Sequence, residues 1–137
     1  MSPMKQKIIL NTDGGSRGNP GPAGCGAVIS DDKGNVLKKV SKALGVMTNN
    51  EAEYHAVILG LETLKKVFGK DKLATAEIEI RLDSELVCKQ LMGGYQVKEE
   101  RLFPLFMKIW NLQVKDVPKI SCVHIPREKN QVADGLA

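Results

Sequence analysis

The spacing of apolar residues changes at Thr48, and this change divides the chain into a strand-forming part and a helix-forming part. Three β-prone runs precede it, at residues 7–12, 25–30 and 36–46. The second and third runs are joined by Asp-Asp-Lys-Gly-Asn, a composition typical of a hairpin turn. The first run ends at Asp13, where glycines and prolines interrupt regular structure. We therefore predict three sequential antiparallel strands, with a long turn after the first.

Beyond Thr48 the apolar residues recur every three or four positions until Gly69, which predicts a long helix with one face packed on the sheet. They are Tyr54, Val57, Ile58, Leu61, Leu64 and Phe68. Residues 77–83 then alternate strictly between apolar and charged side chains. This alternation predicts a fourth strand, parallel to the first.

The remainder of the chain predicts two helices, a fifth strand and the start of a final helix. The helices cover residues 84–92 and a pattern through 102–112 with Pro104 in its first turn, the strand covers 119–125, and the final helix begins at 130. This order predicts an α/β fold with a five-stranded mixed sheet, strands one to three antiparallel, and helices on both faces. The chain stops in the first turns of the final helix, so we expect that helix to be incomplete.

A chain of 137 residues has the size of one domain, so we expect one site on one scaffold spanning residues 1–137. Its net charge of +4 suits a polyanionic partner. The three cysteines lack Cys-x-x-Cys spacing, which argues against a disulfide framework and against a cysteine zinc site. The sequence has no signal-like segment and no stretch of membrane-spanning length. We therefore expect a cytoplasmic monomer with no membrane partner.

Four carboxylates lie where the predicted elements begin or end. Asp13 and Asp83 follow the first and fourth strands, whereas Glu53 and Asp134 lie in the first turns of two helices. Ligand sites gather at the carboxyl ends of strands in sheets with crossover helices. Carboxylates that converge there repel one another unless a cation joins them. Oxygen ligands without a Cys or His pair favour Mg²⁺ or Mn²⁺ over zinc.

Each of these carboxylates also has a structural interpretation. The two aspartates at strand ends suit turns and helix caps, and the two carboxylates in helical first turns suit the positive end of the helix dipole. Glu51 fits a capping box with Thr48. Because Glu51 and Glu53 both lie at the edges of the apolar helix stripe, periodicity leaves the choice between them open.

Four segments of the chain stand out as motifs: TDGGSRGNPGPAG, TNNEAEY, RLDSELV and HIPREKNQVADGLA. Together, in this order and at these separations, they resemble the type 1 ribonucleases H, and the resemblance runs from Lys7 to the end of the chain. It implies a five-stranded mixed sheet with flanking helices. It also implies cleavage of the RNA strand of RNA/DNA hybrids with two metal ions, giving 5′-phosphate and 3′-hydroxyl products.

By this resemblance the catalytic and metal-binding residues are Asp13, Glu53, Asp83 and Asp134. The family pattern selects Glu53 over Glu51, because it places the catalytic glutamate three residues after the second asparagine. The expected cofactors are two Mg²⁺ ions, for which Mn²⁺ can substitute, and Asp13 is the candidate for the shared ligand. Two cations held by bridging carboxylates can activate a water, hold the phosphate and stabilise the leaving oxygen.

The loop after Asp13 and the Thr-Asn-Asn segment are the predicted contacts to the hybrid. The candidates are Gly14, Gly15, Asn19, Thr48, Asn49 and Asn50. Glycines let backbone groups approach the RNA minor groove closely, and asparagines add short amide donors and acceptors. The asparagines equally suit turns and helix caps.

Three further residues or segments bear on function. His124 lies ten residues before Asp134, where many relatives carry a histidine that assists product release, but its strand-like surroundings equally fit a structural role. The segment at 93–101 contains two glutamates where many relatives have a basic protrusion, so we expect weaker hybrid binding. Trp110 follows the apolar rhythm around Ile109 and is expected in the core.

Two other functions compete with hybrid cleavage. One is a nucleic-acid-binding module that keeps the fold without turnover, against which the four intact carboxylates argue. The other is a different phosphodiester nuclease on the same scaffold, which the motifs after Asp13 and around Glu53 disfavour.

Overall fold

The computed structural model describes residues 6–130 and contains a five-stranded mixed sheet. Its strands are β1 (Lys7–Ser16), β2 (Gly21–Asp31), β3 (Val36–Met47), β4 (Glu77–Leu82) and β5 (Ile120–His124). Their order across the sheet is β3-β2-β1-β4-β5. The first three strands pair antiparallel, whereas β4 runs parallel to β1 and β5 runs parallel to β4. The predicted fold is therefore confirmed.

Within the described residues the α-helices are α1 (Asn49–Phe68), α2 (Lys70–Thr75), α3 (Glu85–Leu91) and α4 (Phe103–Asp116). The prediction of α1 is confirmed, with Thr48 at its start and Gly69 at its end. Gly69 has a φ of 81°, a conformation that glycine adopts without steric cost. Helix α2 was not predicted, because only Leu73 of its six residues is buried and so short a segment shows no apolar period.

The described residues end at Asn130, where the predicted final helix begins. A 3-10 turn covers Arg127–Asn130, and the rest of the predicted final helix lies outside the described residues. Among residues 6–130, no helix is both long enough and apolar enough to cross a membrane.

Strand β1 is longer than predicted, and the prediction that glycines end it at Asp13 is wrong. Gly14 and Gly15 pair with residues of β2, so the strand continues to Ser16. Pairing with a neighbouring strand outweighs the low strand propensity of glycine, which depends strongly on context. The turn that follows is only four residues long, and the Arg17 N–H closes it by donating to the Pro22 carbonyl at 2.8 Å.

The core lies between the sheet and α1. The alternation predicted for β4 is confirmed, since Ile78, Ile80 and Leu82 are buried while the intervening residues face away. The same core contains Ile8, Leu10, Tyr54, Val57, Leu61 and Leu64. Each such side chain stabilises the fold by about 1.5–3 kcal/mol on burial. This packing holds the first turns of α1 against the end of β1.

Trp110 is exposed, so its predicted place in the core is wrong. Ile109 is the buried neighbour, and a step of one residue turns the side chain about 100° around the helix. Helix α4 therefore carries apolar residues on two faces. Periodicity at the sequence level could not separate the buried face from the exposed one.

Candidate active site

Three of the four predicted carboxylates converge at one edge of the sheet. Asp13 lies near the end of β1, Asp83 follows β4, and Glu53 projects from the start of α1. Because β1 and β4 are adjacent and parallel, their carboxyl ends meet at the same edge. Each residue offers a carboxylate oxygen within 4.8 Å of the other two. Asp134 lies outside the described residues, so its place in the cluster stays a prediction.

The two candidate glutamates of α1 have different partners. The Glu51 carboxylate accepts a hydrogen bond from the Thr48 N–H at 3.1 Å, and Thr48 Oγ1 accepts one from the Glu51 N–H at 3.2 Å. This is the predicted capping box, and it satisfies donors at the start of the helix. Glu53 lies about 200° further around the helix and meets Asp13 and Asp83 instead. The tertiary structure thus separates two residues that periodicity left equivalent.

A close approach of β1 to α1 brings Glu53 beside Asp13. Glycine is required at position 14, because a Cβ there would overlap the Ala52 carbonyl and lie 2.6 Å from the Glu53 nitrogen. The Gly14 N–H also donates a hydrogen bond to the Glu53 carboxylate. Gly14 was predicted as a substrate contact, and the structure gives it a role in assembling the carboxylates.

The three carboxylates, here called the carboxylate cluster, repel one another. Burial, together with the charges of Asp13 and Asp83, raises the pKa of Glu53 to about 9. The Gly14 N–H and the positive charge of Arg127 act in the opposite direction and are outweighed. Glu53 Oε2 is buried and accepts no hydrogen bond within the described residues. A buried oxygen without a partner, next to two more carboxylates, fits a hard divalent cation such as Mg²⁺.

An open groove of about 610 Å³ extends from the carboxylate cluster across β1, β2 and β3. Glycines form part of its lining, and Arg17 and Arg127 border it. Arg127 Nε lies 3.9 Å from Asp83 Oδ2, which connects the groove to the cluster. Arg127 was not predicted as a site residue. Its position soon after β5, the strand parallel to β4, is the signal that could have identified it.

The asparagines predicted to contact substrate bond within the chain. Asn49 Oδ1 accepts hydrogen bonds from the backbone N–H and the hydroxyl of Ser16, both at 2.9 Å. Asn19 Oδ1 accepts one from the Asn49 N–H at 3.0 Å, and Asn50 Nδ2 donates to Glu99 Oε1 at 2.8 Å. These bonds agree with the turn and cap interpretation, and they hold the β1–β2 turn against α1. The side chains of Asn19 and Asn49 nevertheless remain exposed.

Asn130 ties the 3-10 turn after β5 to the central strand. It is buried, and its Nδ2 donates to the Thr12 carbonyl at 2.9 Å. Its Oδ1 accepts a hydrogen bond from Asn11 Nδ2 at 3.1 Å. Asn130 was not predicted as a site residue, because an asparagine at a predicted helix start has no distinguishing pattern. The two bonds hold the 3-10 turn against β1.

His124 is the last residue of β5 and is exposed. It pairs in register with Leu82 and lines a small cavity of about 300 Å³ together with Glu85 and Cys122. It is not one of the three residues in the carboxylate cluster. Its place on a strand agrees with the strand-like run seen in the sequence, and its role in product release stays a prediction.

Known proteins resemble this chain over nearly its whole length. The family described as Reverse transcriptase-like matches residues 11–137. A bifunctional protein of Mycobacterium tuberculosis is 39% identical over 132 residues, which are 96% of this chain and 34% of that protein. Ribonuclease HI of Halobacterium salinarum is 39% identical over 125 residues, 91% of this chain and 59% of that protein. The chain thus spans about a third of the first relative and about three fifths of the second.

Two solved structures share both fold and sequence with this chain. LC11-RNase H1, isolated from compost and solved in complex with an RNA/DNA hybrid, has a TM-score of 0.90 and 53% identity, covering 94% of this chain and 92% of its own. RNase H1 of Halobacterium salinarum has a TM-score of 0.85 and 37% identity, covering 96% and 94%. The motifs, the strand order and these similarities agree, and this chain belongs to the type 1 ribonuclease H family.

Proposed function

We propose that this chain, as a single catalytic domain, hydrolyses the RNA strand of RNA/DNA hybrids at the carboxylate cluster. The observation that carries the proposal is the convergence of Asp13, Glu53 and Asp83 at the sheet edge, with one Glu53 oxygen buried and unpartnered. The similarity to LC11-RNase H1, which was solved with a hybrid bound, supports the substrate class. The products are expected to carry a 5′-phosphate and a 3′-hydroxyl.

The cofactors we propose are two Mg²⁺ ions, with Mn²⁺ as a substitute. Asp13, Glu53, Asp83 and Asp134 would hold these ions, with Asp13 as the candidate for a ligand common to both. Bound divalent cations supply positive charge to the attacking water, the phosphate and the leaving oxygen. The protein contributes the preorganisation, because the Gly14 N–H fixes the Glu53 carboxylate and burial limits the positions open to Asp13.

The groove beside Asp13 is the proposed path of the scissile strand. Its cationic lining residues, Arg17, Lys42 and Arg127, suit phosphate contacts. The lack of a side chain at Gly15 lets the sugar–phosphate backbone approach the sheet. Asn19 and Asn49 are exposed, and we propose that their amide groups contact the 2′-hydroxyl. Thr48 and Asn50 are only partly exposed and bond within the chain, so we assign them the support of this surface.

A cleavage assay tests the proposal. The protein is incubated with end-labelled RNA/DNA hybrid, duplex RNA, duplex DNA and single-stranded RNA, each with Mg²⁺, with Ca²⁺ and with chelator. We expect cleavage of the RNA strand of the hybrid in Mg²⁺ only, because Ca²⁺ prefers a looser and higher coordination. Hybrid binding without cleavage in Mg²⁺ would favour the non-catalytic binding module. Equal cutting of duplex DNA would favour a general nuclease.

A further inference from the structure

A buried hydrogen bond joins α1 to α3. The Tyr54 hydroxyl donates to Gln90 Oε1 at 2.8 Å, and these residues are only 0% and 5% exposed. Tyr54 directly follows Glu53 in α1, whereas α3 begins two residues after Asp83. The bond therefore connects the helix that carries one member of the carboxylate cluster to the helix that follows another.

A second connection runs from α3 back to the start of α1. Gln90 Nε2 donates to the Gln96 carbonyl at 3.4 Å. Further along the same segment, Glu99 Oε1 accepts a hydrogen bond from Asn50 Nδ2 at 2.8 Å. The segment after α3 is thus held by both helices. The bonds form a closed loop, here called the α1–α3 ring, whose members are Asn50, Tyr54, Gln90, Gln96 and Glu99.

The Tyr54–Gln90 pair is the buried part of the α1–α3 ring, and packing alone does not require it. Buried hydroxyl and amide groups give up hydrogen bonds to water, so each must find a partner in the fold. An apolar pair of similar volume would fill the same space without this requirement. What the polar pair adds is direction, since a hydrogen bond restricts the distance and the angle between two groups. The pair therefore specifies how α3 lies against α1.

The position of Asp83 depends on that arrangement. Pairing of β4 with β5 ends at Leu82, and Ser84 caps α3 by accepting a hydrogen bond from the Val87 N–H at 3.3 Å. Asp83 lies between these two residues, so its direction is set by α3 as well as by the sheet. Glu53 and Asp83 repel each other without a cation, which favours separation of α1 from α3.

We propose that Tyr54, acting through Gln90, holds α3 so that Asp83 stays close enough to Glu53 for one divalent cation to join them. Tyr54 and Gln90 are positioning residues, because each acts through the carboxylates. The α1–α3 ring opposes the repulsion between the carboxylates before the cation binds. Less of the binding energy of the cation is then needed to bring the two helices together. This inference rests on the proposed function, since it concerns the same carboxylate cluster.

Two variants separate positioning from stability. Tyr54→Phe leaves the buried Gln90 amide without its partner, whereas Tyr54→Phe/Gln90→Met removes both polar groups and should recover part of the lost stability in urea. We expect both variants to need several-fold more Mg²⁺ than the parent for half-maximal hybrid cleavage, with a similar rate at saturating Mg²⁺. The rise in melting temperature caused by Mg²⁺ should also be smaller in both, and this readout requires no cleavage.

Thr63→Val is the matched control. It removes a hydrogen bond of a buried side chain further along the same helix, to the Leu59 carbonyl at 2.7 Å, and should keep the Mg²⁺ requirement of the parent. A double variant with the parent's Mg²⁺ requirement would make the pair purely structural, and an equal shift in Thr63→Val would make the effect a general result of destabilisation. Either result overturns the proposal. A parent chain that cleaves no hybrid would contradict the proposed function alone, because the shifts in melting temperature still test the positioning.

Discussion

The start of α1 and the carboxylate cluster beside it are both polar, but their hydrogen bonds are satisfied differently. At the helix start, Thr48, Asn49 and Glu51 all find partners within the chain. In the cluster, Glu53 lies between two other carboxylates and keeps one buried oxygen without a partner. The first arrangement stabilises the fold by itself. The second becomes favourable only when a cation joins it. Glu51 therefore stabilises the helix start, whereas Glu53 is available to bind a cation.

The strongest test of this comparison replaces each of the two glutamates by glutamine, which is uncharged. Glu53→Gln should reduce hybrid cleavage by orders of magnitude, because it removes a proposed metal ligand and leaves the helix cap intact. Glu51→Gln should cleave at close to the parent rate, since the Glu51 carboxylate accepts the capping hydrogen bond of Thr48, pairs with Arg101 at 4.0 Å and is not part of the cluster. Initial rates on labelled hybrid in Mg²⁺ measure both. The reverse ranking would show that Glu51 is the functional glutamate.

Replacing Asp13 by Asn sharpens the contrast between repulsion and metal binding. Cleavage should fall by orders of magnitude, while hybrid binding in Ca²⁺ should persist because the groove and its cations remain. In metal-free buffer the melting temperature should hold or rise, since one repelling charge is gone. Mg²⁺ should raise the melting temperature of the parent chain more than that of the variant. Clear destabilisation with cleavage retained would make Asp13 a structural turn residue.

The raised pKa of Glu53 predicts how the metal-free protein responds to pH. The folded state holds a proton on Glu53 up to about pH 9, whereas the unfolded state releases it near 4.5. The stability that the folded state gains by binding this proton is therefore full below about pH 4.5 and is lost as the pH rises toward 9. Glu53→Gln does not titrate, so its urea midpoints should fall less over this range than those of the parent. Parallel curves measured in chelator would contradict the assignment.

The smallest expected effect is at the helix cap. Thr48→Ala removes the acceptor for the Glu51 N–H and should lower the free energy of unfolding by about 1 kcal/mol. Cleavage should change little, because Glu53 is positioned by Gly14 and by core packing. Chemical denaturation and the cleavage rate are measured on the same preparation. A loss of activity much larger than the loss of stability would mean that the cap also positions the cluster.

The sequence predicted those elements whose pattern is long or bounded by a specific residue. Helix α1, twenty residues long, was predicted from end to end because an apolar period from Tyr54 to Phe68 lies between a threonine cap and Gly69. The end of β1 was not predicted, because it depends on pairing with β2. Helix α2 was not predicted either, because it buries a single leucine and so shows no apolar period. The predictions failed where a contact between distant segments outweighed local propensity.

For the site, the motifs alone determined which residues to examine. Asp13 and Asp83 were predicted from their places at strand ends, and the family pattern selected Glu53 over Glu51. The tertiary structure added that Glu53 meets the aspartates while Glu51 caps the helix, that Gly14 must lack a side chain, that Arg127 lies near Asp83, and that Asn130 bonds to Thr12. The tertiary structure likewise decided which apolar face of α4 is covered. Sequence spacing fixes directions within one element, whereas these outcomes depend on the distance between elements, which is set by how they pack.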